Sequence, residues 1–256
     1  MIKHNLNKVF TLFAVVFVTV AHFLFGLSLW YIPVILLISV SLVLYGILNL
    51  DFNYFFISLY QGKTINKQIA LTFDDGPHKH TLKLLKVLKE KNVKASFFCI
   101  GKHVENHPEI VKKIYADNHI LGNHSFYHGD TFSFQSTEKI TKELKETNDL
   151  IFKLIGIKPK LFRAPYGVSN PMIGEAIQKM GFLSIGWSVR SFDTFFSDED
   201  AIFNRISKQI KPGSIVLMHD NLAKTSSLVS KLITYCAKNQ YEIVPLSALL
   251  EIDSYE

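Results

Sequence analysis

Two adjacent carboxylates stand out in the segment LTFDDGPHKH, residues 71–80. Asp74 and Asp75 follow a short apolar run and precede a Gly-Pro turn. Because neighbouring carboxylates repel each other, a bound cation would relieve their repulsion. The alternative is an Asp-Asp-Gly turn with both carboxylates in water, which is a common arrangement. The apolar run before the pair and the Gly-Pro after it favour a defined geometry.

A pair of histidines could supply further ligands for such a cation. His124 and His128 are four residues apart in HSFYH, and on a helical turn both imidazoles would lie on one face. Taken alone the spacing is weak, because histidine pairs also arise by chance. With Asp75 it becomes a set of two histidines and one carboxylate, which suits Zn²⁺ and related divalent ions. Asp74 would then be left as a base beside a water whose pKa the metal lowers from about 15.7 towards 7.

The elements that must position these residues alternate between short apolar runs and longer amphipathic ones from residue 68 onward. Strands are predicted over 69–73, 95–100, 119–125, 160–164, 182–188, 214–219 and 241–246. Helices are predicted over 81–91, 108–118, 136–155, 170–180, 199–210 and 226–239. Such alternation is typical of an α/β fold with a largely parallel sheet, open or closed into a barrel. The polar motifs fall at the C-terminal ends of predicted strands, where α/β barrels build their active sites.

Five of these motifs resemble, in order and spacing, those of the polysaccharide deacetylases, a carbohydrate esterase family that includes chitin, peptidoglycan and nodulation-factor deacetylases. They are LTFDDGP (71–77), HSFYH (124–128), RAPYG (163–167), SFD (191–193) and IVLMHD (215–220). The match extends over about 68–250, essentially everything after the apolar N-terminal segment. The resemblance implies a distorted (β/α) barrel that hydrolyses the N-acetyl group of an amino sugar with the help of a metal.

The resemblance also implies an acid and a base, each with a partner. Asp74 resembles the general base, and Arg163 resembles the residue that pairs with it and orients it. His219 resembles the general acid that protonates the leaving amine. Asp193 resembles the carboxylate that raises the pKa of His219 and keeps it protonated at neutral pH.

Two further groups of residues follow from the same resemblance. The expected cofactor is one divalent ion, Zn²⁺ first and Co²⁺, Ni²⁺ or Mn²⁺ as alternatives, and its ligands would be Asp75, His124 and His128. The backbone N–H of Tyr166 would help to hold the oxyanion. The substrate pocket would be formed by Tyr166, Pro165, Leu217 and Trp187.

The fourth motif departs from the family pattern. Many members carry an acidic residue and a tryptophan there, whereas this chain has Arg190 and Thr194 in WSVRSFDTF. Neither change touches the expected metal ligands, so activity is expected to survive and the preference for substrate shape and charge is expected to differ. His78 and His80 receive no role.

A long apolar segment precedes this domain. From Val9 to Leu50 there is no Asp, Glu, Lys or Arg, which is long enough for two membrane spans. Gly26 and Pro33 suggest a break, so we predict a transmembrane hairpin over residues 1–50 with spans at about 9–29 and 33–50. Residues 51–67 are predicted as a linker and 68–256 as the catalytic domain. A signal peptide and a buried core hairpin are the two alternatives to a transmembrane hairpin.

Charges around the apolar segment conflict with the expected substrate. Lys3, Lys8, Lys63 and Lys67 place both ends of the hairpin in the cytoplasm by the positive-inside rule. A cell-envelope glycan instead requires an extracytoplasmic catalytic domain on a multi-pass membrane protein, and that is our expectation. A cytoplasmic domain acting on a lipid-linked or nucleotide-linked amino sugar is the alternative.

The overall charge does not indicate a nucleic-acid partner. The net charge is +6, and the lysine-rich segment 81–94 has the apolar spacing of an amphipathic helix with a solvated face. Cys99 and Cys236 share no metal-type spacing and imply no disulfide framework. The expected partners are therefore an amino-sugar polysaccharide and the lipid bilayer, with no protein partner inferred.

Two other functions compete with deacetylation. A catalytically silent relative could bind glycans at the membrane, although it would not need to retain Asp74 and His219 together. Alternatively, Asp74 could be a nucleophile in phosphoryl transfer, which would favour Mg²⁺ and would not need His124 and His128.

Overall fold

A computed structural model describes residues 2–256 of the chain. Its N-terminal unit is a hairpin of two helices, α1 (Ile2–Phe25) and α2 (Tyr31–Leu48). Gly26 adopts φ +72° directly after α1, a left-handed conformation that glycine takes without strain and that ends the helix. Pro33 lies in the first turn of α2, where its missing N–H costs no helical hydrogen bond. α1 begins seven residues before the predicted span at 9–29, because Lys3 and Lys8 are compatible with a helix, and α2 begins two residues before the predicted span at 33–50.

The outer surface of the hairpin is apolar. At about 1.5 Å per residue the helices are roughly 36 and 27 Å long, close to the thickness of a bilayer core. Phe10, Phe13 and Phe17 are each at least 69% exposed, and Leu37 on α2 is 66% exposed. By length and composition these helices could cross a membrane. An N-terminal signal sequence meets the same criteria of length and composition. Neither helix has the mostly buried surface of a core helix in a soluble domain.

The remainder of the chain folds around one curved parallel sheet. Its strands are β1 (Ser58–Leu59), β2 (Gln68–Asp74), β3 (Ser96–Cys99), β4 (Ile120–Asn123), β5 (Leu161–Phe162), β6 (Leu183–Ile185), β7 (Val189–Arg190), β8 (Ile215–His219) and β9 (Glu242–Ile243). They lie in the order β1-β6-β5-β4-β3-β2-β8-β7, and β9 pairs with the start of β2. Every pairing between these strands is parallel.

Helices cover the outside of this sheet. They are α3 (Thr81–Glu90), α4 (Gly101–Asn106), α5 (Pro108–Ala116), α6 (Thr137–Ile155), α7 (Pro171–Lys179), α8 (Glu199–Gln209), α9 (Thr225–Lys238) and α10 (Leu246–Leu250). The main core lies between the helices and the sheet and contains Leu71 and Phe73 of β2 with Leu85 of α3 and Val229 of α9. The prediction of an α/β fold built as a distorted (β/α) barrel is confirmed.

The helices that flank the site begin at specific caps. Ser136 accepts a hydrogen bond from the Lys139 N–H at the start of α6, and Asn170 accepts one from the Ile173 N–H at the start of α7. Pro171 occupies the first turn of α7, as the N1 preference of proline predicts.

The segment 51–67, predicted as a linker, is packed into the fold. Tyr54, Phe55 and Phe56 are buried in a cluster with Phe162 and Ile173. β1 extends the sheet by pairing with β6, and the Gly62 N–H donates to the Gly213 carbonyl. The aromatic residues of this segment are therefore core residues, because the edge of β6 and the surface of α7 offer them an apolar contact. The contact partners lie more than a hundred residues away in the chain, so the local pattern could not reveal them.

Candidate active site

The residues singled out by the sequence converge at the C-terminal edge of the sheet. β2 ends at Asp74, β4 ends just before His124, β5 ends just before Arg163, and β8 ends at His219. They surround a cavity of about 250 Å³. The cavity is lined by Asp74, Asp75, His124, His128, Ala164, Tyr166, Gly167, Trp187, Arg190, Thr194, Phe195, Leu217 and His219. Because parallel strands end at one edge, motifs far apart in the chain meet there.

Asp74 is held by a buried arginine. Arg163 is fully buried, and its Nη1 donates to the Asp74 Oδ1 at 2.7 Å and to the Thr72 Oγ1 at 2.9 Å. Its Nη2 donates to the Gly186 carbonyl at 2.9 Å, and its guanidinium lies over the Phe98 ring. Burial lowers the pKa of Arg163 while the charge of Asp74 opposes that change. The guanidinium therefore fixes one carboxylate oxygen of Asp74 and compensates its charge.

Asp75 and two histidines form the one cluster of this kind among residues 2–256. Their ligand atoms all lie within 4.8 Å of one another. The Asp75 Oδ1 is 3.6 Å from the Nε2 atoms of both His124 and His128. The His124 Nδ1 donates to the Arg163 carbonyl at 2.8 Å, which leaves its Nε2 facing the cavity. Asp75 itself adopts φ +71°, and its carboxylate lies beside both histidines.

The two histidines meet through a loop, so the expected helical turn is wrong. Ser125 and His128 both have left-handed backbones, with φ +63° and +51°, and the residues between them form bends. The His128 N–H donates to the Ser125 Oγ, and the imidazoles of His124 and His128 lie 4.7 Å apart. The Glu143 carboxylate accepts the N–H groups of Phe126 and Tyr127 and holds the loop from behind. These side-chain contacts replace the helical hydrogen bonds.

The cluster fits a divalent metal ion. Burial and the neighbouring His124 lower the pKa of His128 to about 4, so its imidazole is neutral at pH 7, the form that binds metals. The hydrogen bond from the His124 Nδ1 to a backbone carbonyl is the outer contact that metal-binding histidines commonly make. Two imidazole nitrogens and one carboxylate oxygen suit Zn²⁺ and other first-row divalent ions better than Mg²⁺.

His219 faces the same cavity and is paired with Asp193. The His219 Nδ1 donates to the Asp193 Oδ1 at 2.7 Å, and the His219 backbone N–H donates to the Oδ2 at 2.8 Å. Ser191 donates a further hydrogen bond to the Oδ1. Burial alone would lower the pKa of His219, but the hydrogen bond and charge of Asp193 outweigh it and raise that pKa to about 9. The imidazole is therefore protonated at neutral pH, with its Nε2 available to the cavity.

Of the four residues expected to form the substrate pocket, three line the cavity and one does not. Trp187 packs against Gly167, where a Cβ would collide with the indole ring, and Leu217 lines the cavity from β8. Tyr166 has φ +59°, and its hydroxyl donates to the Asp130 carboxylate at 2.8 Å. Burial and Asp130 raise the pKa of the Tyr166 phenol to about 12. Pro165 is buried and does not line the cavity, so its contact with substrate stays a prediction.

Two residues near the cavity had received no role. Asp220, the last residue of IVLMHD, is buried beneath the Asp74–Asp75 turn, and its carboxylate accepts from the Thr81 hydroxyl at 2.5 Å. Burial raises the pKa of Asp220 to about 7. A Cβ at Gly76 would collide with this carboxylate. Phe195 lines the cavity mouth and is 74% exposed. Its position two residues after Asp193 is the signal that could have indicated it.

Comparison with known proteins supports this fold and identifies the family. The polysaccharide deacetylase family profile matches residues 61–185. The peptidoglycan-N-acetylglucosamine deacetylase PgdA of Listeria monocytogenes is 35% identical to this chain over 185 residues. The matched region covers 72% of this chain and 39% of the length of that relative. The peptidoglycan-N-acetylmuramic acid deacetylase PdaA of Bacillus subtilis is 30% identical over 75% of each chain. The crystal structure of the Bc1960 peptidoglycan N-acetylglucosamine deacetylase superposes with a TM-score of 0.72 at 29% identity, covering 78% of this chain and 95% of that one.

These similarities define the class of protein. The chain belongs to the polysaccharide deacetylase family. The resemblance carried by the five motifs is thereby confirmed, and the shared fold extends over 78% of this chain.

Proposed function

We propose that this protein is a metal-dependent hydrolase that removes N-acetyl groups from N-acetylglucosamine units of a cell-envelope glycan. The observation that carries the proposal is one cavity that contains an arginine-held carboxylate, a protonated histidine and a metal-binding cluster. The names of the relatives favour peptidoglycan as the glycan. The cavity of about 250 Å³ is lined by both polar and apolar side chains and has room for an acetamido group.

The residues divide the hydrolysis between them. Asp75, His124 and His128 would hold a divalent ion, Zn²⁺ by the ligand set, and that ion would supply Lewis-acid activation. Asp74 takes the proton of the attacking water at its free Oδ2, because the Oδ1 is engaged by Arg163.

The acid side of the cavity completes the reaction. The His219 Nε2 gives its proton to the amide nitrogen as the C–N bond breaks, which releases acetate and the free amine. The Tyr166 N–H stabilises the developing oxyanion, and Leu217 and Trp187 contact the acetyl methyl group.

Acetate release tests the proposal. The purified chain is assayed with N-acetylglucosamine oligomers and with peptidoglycan, with and without a chelator. Chelation should abolish the release and added Zn²⁺, Co²⁺, Ni²⁺ or Mn²⁺ should restore it, while Asp74→Asn should remain inactive with metal bound. Asp253→Asn, an exposed aspartate outside the site, is the matched control. Metal-loaded protein that hydrolyses no amino-sugar substrate would identify a silent glycan-binding relative instead.

The identity of the metal that the protein binds distinguishes deacetylation from phosphoryl transfer. A buried guanidinium engages one oxygen of Asp74, which disfavours its use as a nucleophile. Stoichiometric Zn²⁺ or a similar ion in the purified protein supports deacetylation. A strict requirement for Mg²⁺ would contradict it.

We further propose that α1 and α2 span the cell membrane and that the catalytic domain is extracytoplasmic. The support is the apolar outer surface of the hairpin together with the location of envelope glycans. Lys3 and Lys63 at the hairpin ends favour the opposite orientation. Reporter fusions at the C-terminus, one active only outside the cytoplasm and one only inside, decide between them.

A further inference from the structure

The end of α2 is attached to the loop that forms one wall of the active site. The Ser169 N–H donates to the Ile47 carbonyl at 2.9 Å, and its hydroxyl donates to the Gly46 carbonyl at 2.6 Å. The last carbonyls of a helix have no partner within it, so Ser169 satisfies two of them. Ser169 lies three residues after Tyr166. The end of the apolar hairpin is therefore hydrogen-bonded to the loop that carries Tyr166.

A second contact fixes the hairpin beneath the catalytic domain. Gly46 lies against the Tyr54 ring so closely that any side chain at position 46 would collide with it. The Tyr54 hydroxyl accepts a hydrogen bond from the Asn7 Nδ2 at 2.7 Å, which ties α1 to the same point. Tyr54 is in turn buried with Phe55 against the domain. These contacts pack the end of the apolar segment against the catalytic domain.

A cavity of about 370 Å³ lies between the end of the hairpin and the catalytic cavity. We call it the hairpin-side cavity. Its walls include the last residue of α2 and the turn that follows, residues 48–51. The two cavities share four lining residues: Tyr166, Gly167, Trp187 and Arg190. A sugar whose acetamido group occupies the catalytic cavity thus extends next to residues that emerge from the apolar hairpin.

The charged side chains of the hairpin-side cavity are mostly cationic. Arg190 and Lys211 line it, and Asp51 is its one carboxylate among the described residues. Arg190 is half-buried and lies over the rings of Trp187 and Phe192. Among the ion pairs found between residues 2 and 256, none involves Arg190 or Lys211. Both cations are thus available to an anionic group, and arginine in particular suits the geometry of phosphate.

We propose that the hairpin-side cavity binds the phosphate of an amino sugar that is linked through phosphate to a membrane lipid. The catalytic cavity would then act on the sugar unit nearest the bilayer surface. This inference rests on the proposed deacetylase activity and on the membrane hairpin, and it specifies the substrate class. Two observations carry it together: residues at the end of an apolar helix line the cavity, and so do Arg190 and Lys211, which have no ion-pair partner among the described residues.

The test compares three substrates that carry the same N-acetylglucosamine unit. The full-length protein in lipid nanodiscs is given N-acetylglucosaminyl diphosphate on a polyprenol, the same sugar diphosphate on a soluble nucleotide, and a neutral N-acetylglucosamine tetramer. We expect the lipid-linked substrate to have the highest kcat/KM, at least about tenfold above the tetramer, the effect of one to two charge-assisted hydrogen bonds. The product is identified by its loss of the acetyl mass.

Removing one positive charge from the hairpin-side cavity tests whether that cavity causes the preference for the lipid-linked substrate. Lys211→Gln should reduce the ratio of kcat/KM for the lipid-linked substrate to that for the tetramer by about tenfold. Lys208→Gln removes the same charge from an exposed position on α8 that does not line the cavity, and it should leave the ratio unchanged. Lys211 is exposed, so its replacement does not threaten the fold.

The possible results distinguish failure of phosphate binding in the hairpin-side cavity from failure of the proposed deacetylase function. Acetate release from the tetramer with no preference for the lipid-linked substrate would overturn the inference and leave the deacetylase function standing. Equal kcat/KM for the nucleotide-linked and lipid-linked sugars would also overturn it, because the lipid would then contribute nothing. A preference that Lys211→Gln does not reduce would overturn the assignment to this cavity. Failure to release acetate from all three substrates would instead refute the proposed function.

Discussion

Replacing Asp193 with asparagine should shift the basic limb of the pH–rate profile to lower pH. Asp193 is fully buried, and its carboxylate accepts hydrogen bonds from the His219 Nδ1 and from the His219 backbone N–H. Asparagine has the same shape and no charge, so the variant removes the electrostatic support of the imidazolium with little change in packing. Burial of His219 then acts without compensation and lowers its pKa.

The size of the effect follows from the pKa of His219. That pKa is about 9 in the native protein, so the imidazole is protonated in nearly all molecules at pH 7.5. If the variant has the ordinary value of about 6.5, only about 9% of the imidazole carries a proton at that pH, and the rate falls about tenfold. Burial would make the loss larger. Because protonation returns at lower pH, the difference between variant and native rates should narrow as the pH approaches 6.

The assay is the pH dependence of kcat for acetate release from an N-acetylglucosamine oligomer between pH 5.5 and 10. An NMR titration of the His219 ring in both proteins measures the pKa directly. Asp253→Asn should leave the profile unchanged, since Asp253 is exposed and distant in sequence from the site. A rate loss that is the same at every pH, or a basic limb that stays near 9, would refute the general-acid assignment of His219.

The same pair links pH to stability. The folded pKa of His219 is raised above its unfolded value, so the pair stabilises the native state fully below about pH 6.5. This contribution is lost as the pH rises through about 9 and amounts to roughly 3 kcal/mol. Asp193→Asn should remove it, so the free energies of unfolding of the two proteins should differ at pH 6 and converge near pH 10.

Three further predictions concern the other side of the cavity. Asp75→Asn should weaken metal binding by at least about tenfold in an equilibrium dialysis measurement, because it removes the only anionic ligand of the cluster; unchanged affinity would place the ion elsewhere. Arg163→Met should lower the free energy of unfolding by about 3–5 kcal/mol in urea, because the buried Asp74 loses its charge partner; a neutral effect would contradict that pairing. Gly76→Ala should destabilise by about 1–3 kcal/mol, since its methyl group meets the Asp220 carboxylate, and Gly129→Ala, which meets no neighbouring atom, is the control.

The chemistry of the site could be predicted from the sequence to a large extent. The strand before Asp74 and the strand before His219 are short apolar runs bounded by polar motifs, and that pattern is local. Parallel strands end at one edge, so two motifs that each follow such a run must approach each other whatever their separation in the chain. Asp75, His124 and His128 therefore come together as predicted, although their roles in catalysis stay predictions.

Local geometry at the same positions could not be predicted from spacing alone. His124 and His128 meet through a loop with left-handed residues, and Glu143 of α6 holds that loop by its backbone N–H groups. An i, i+4 spacing fits both a helix and such a loop, and the choice depends on the Glu143 carboxylate, which the following helix supplies from outside the motif. The burial of Asp220 beneath Gly76 likewise has no local signal in the sequence, because it depends on how α3 and β8 pack.

The sequence by itself determined which segments are apolar enough to form a hairpin and which residues stand at strand ends, because hydropathy and periodicity are properties of adjacent residues. Only the tertiary structure decided where the hairpin sits. The aromatic segment after α2 reads equally well as a surface segment or a core segment, and its burial at Tyr54 and Phe55 depends on partners far along the chain. The hydrogen bonds of Ser169 to the last carbonyls of α2 have no local signature either. They bring the apolar hairpin to the active site because a helix end needs hydrogen-bond donors and this loop supplies them.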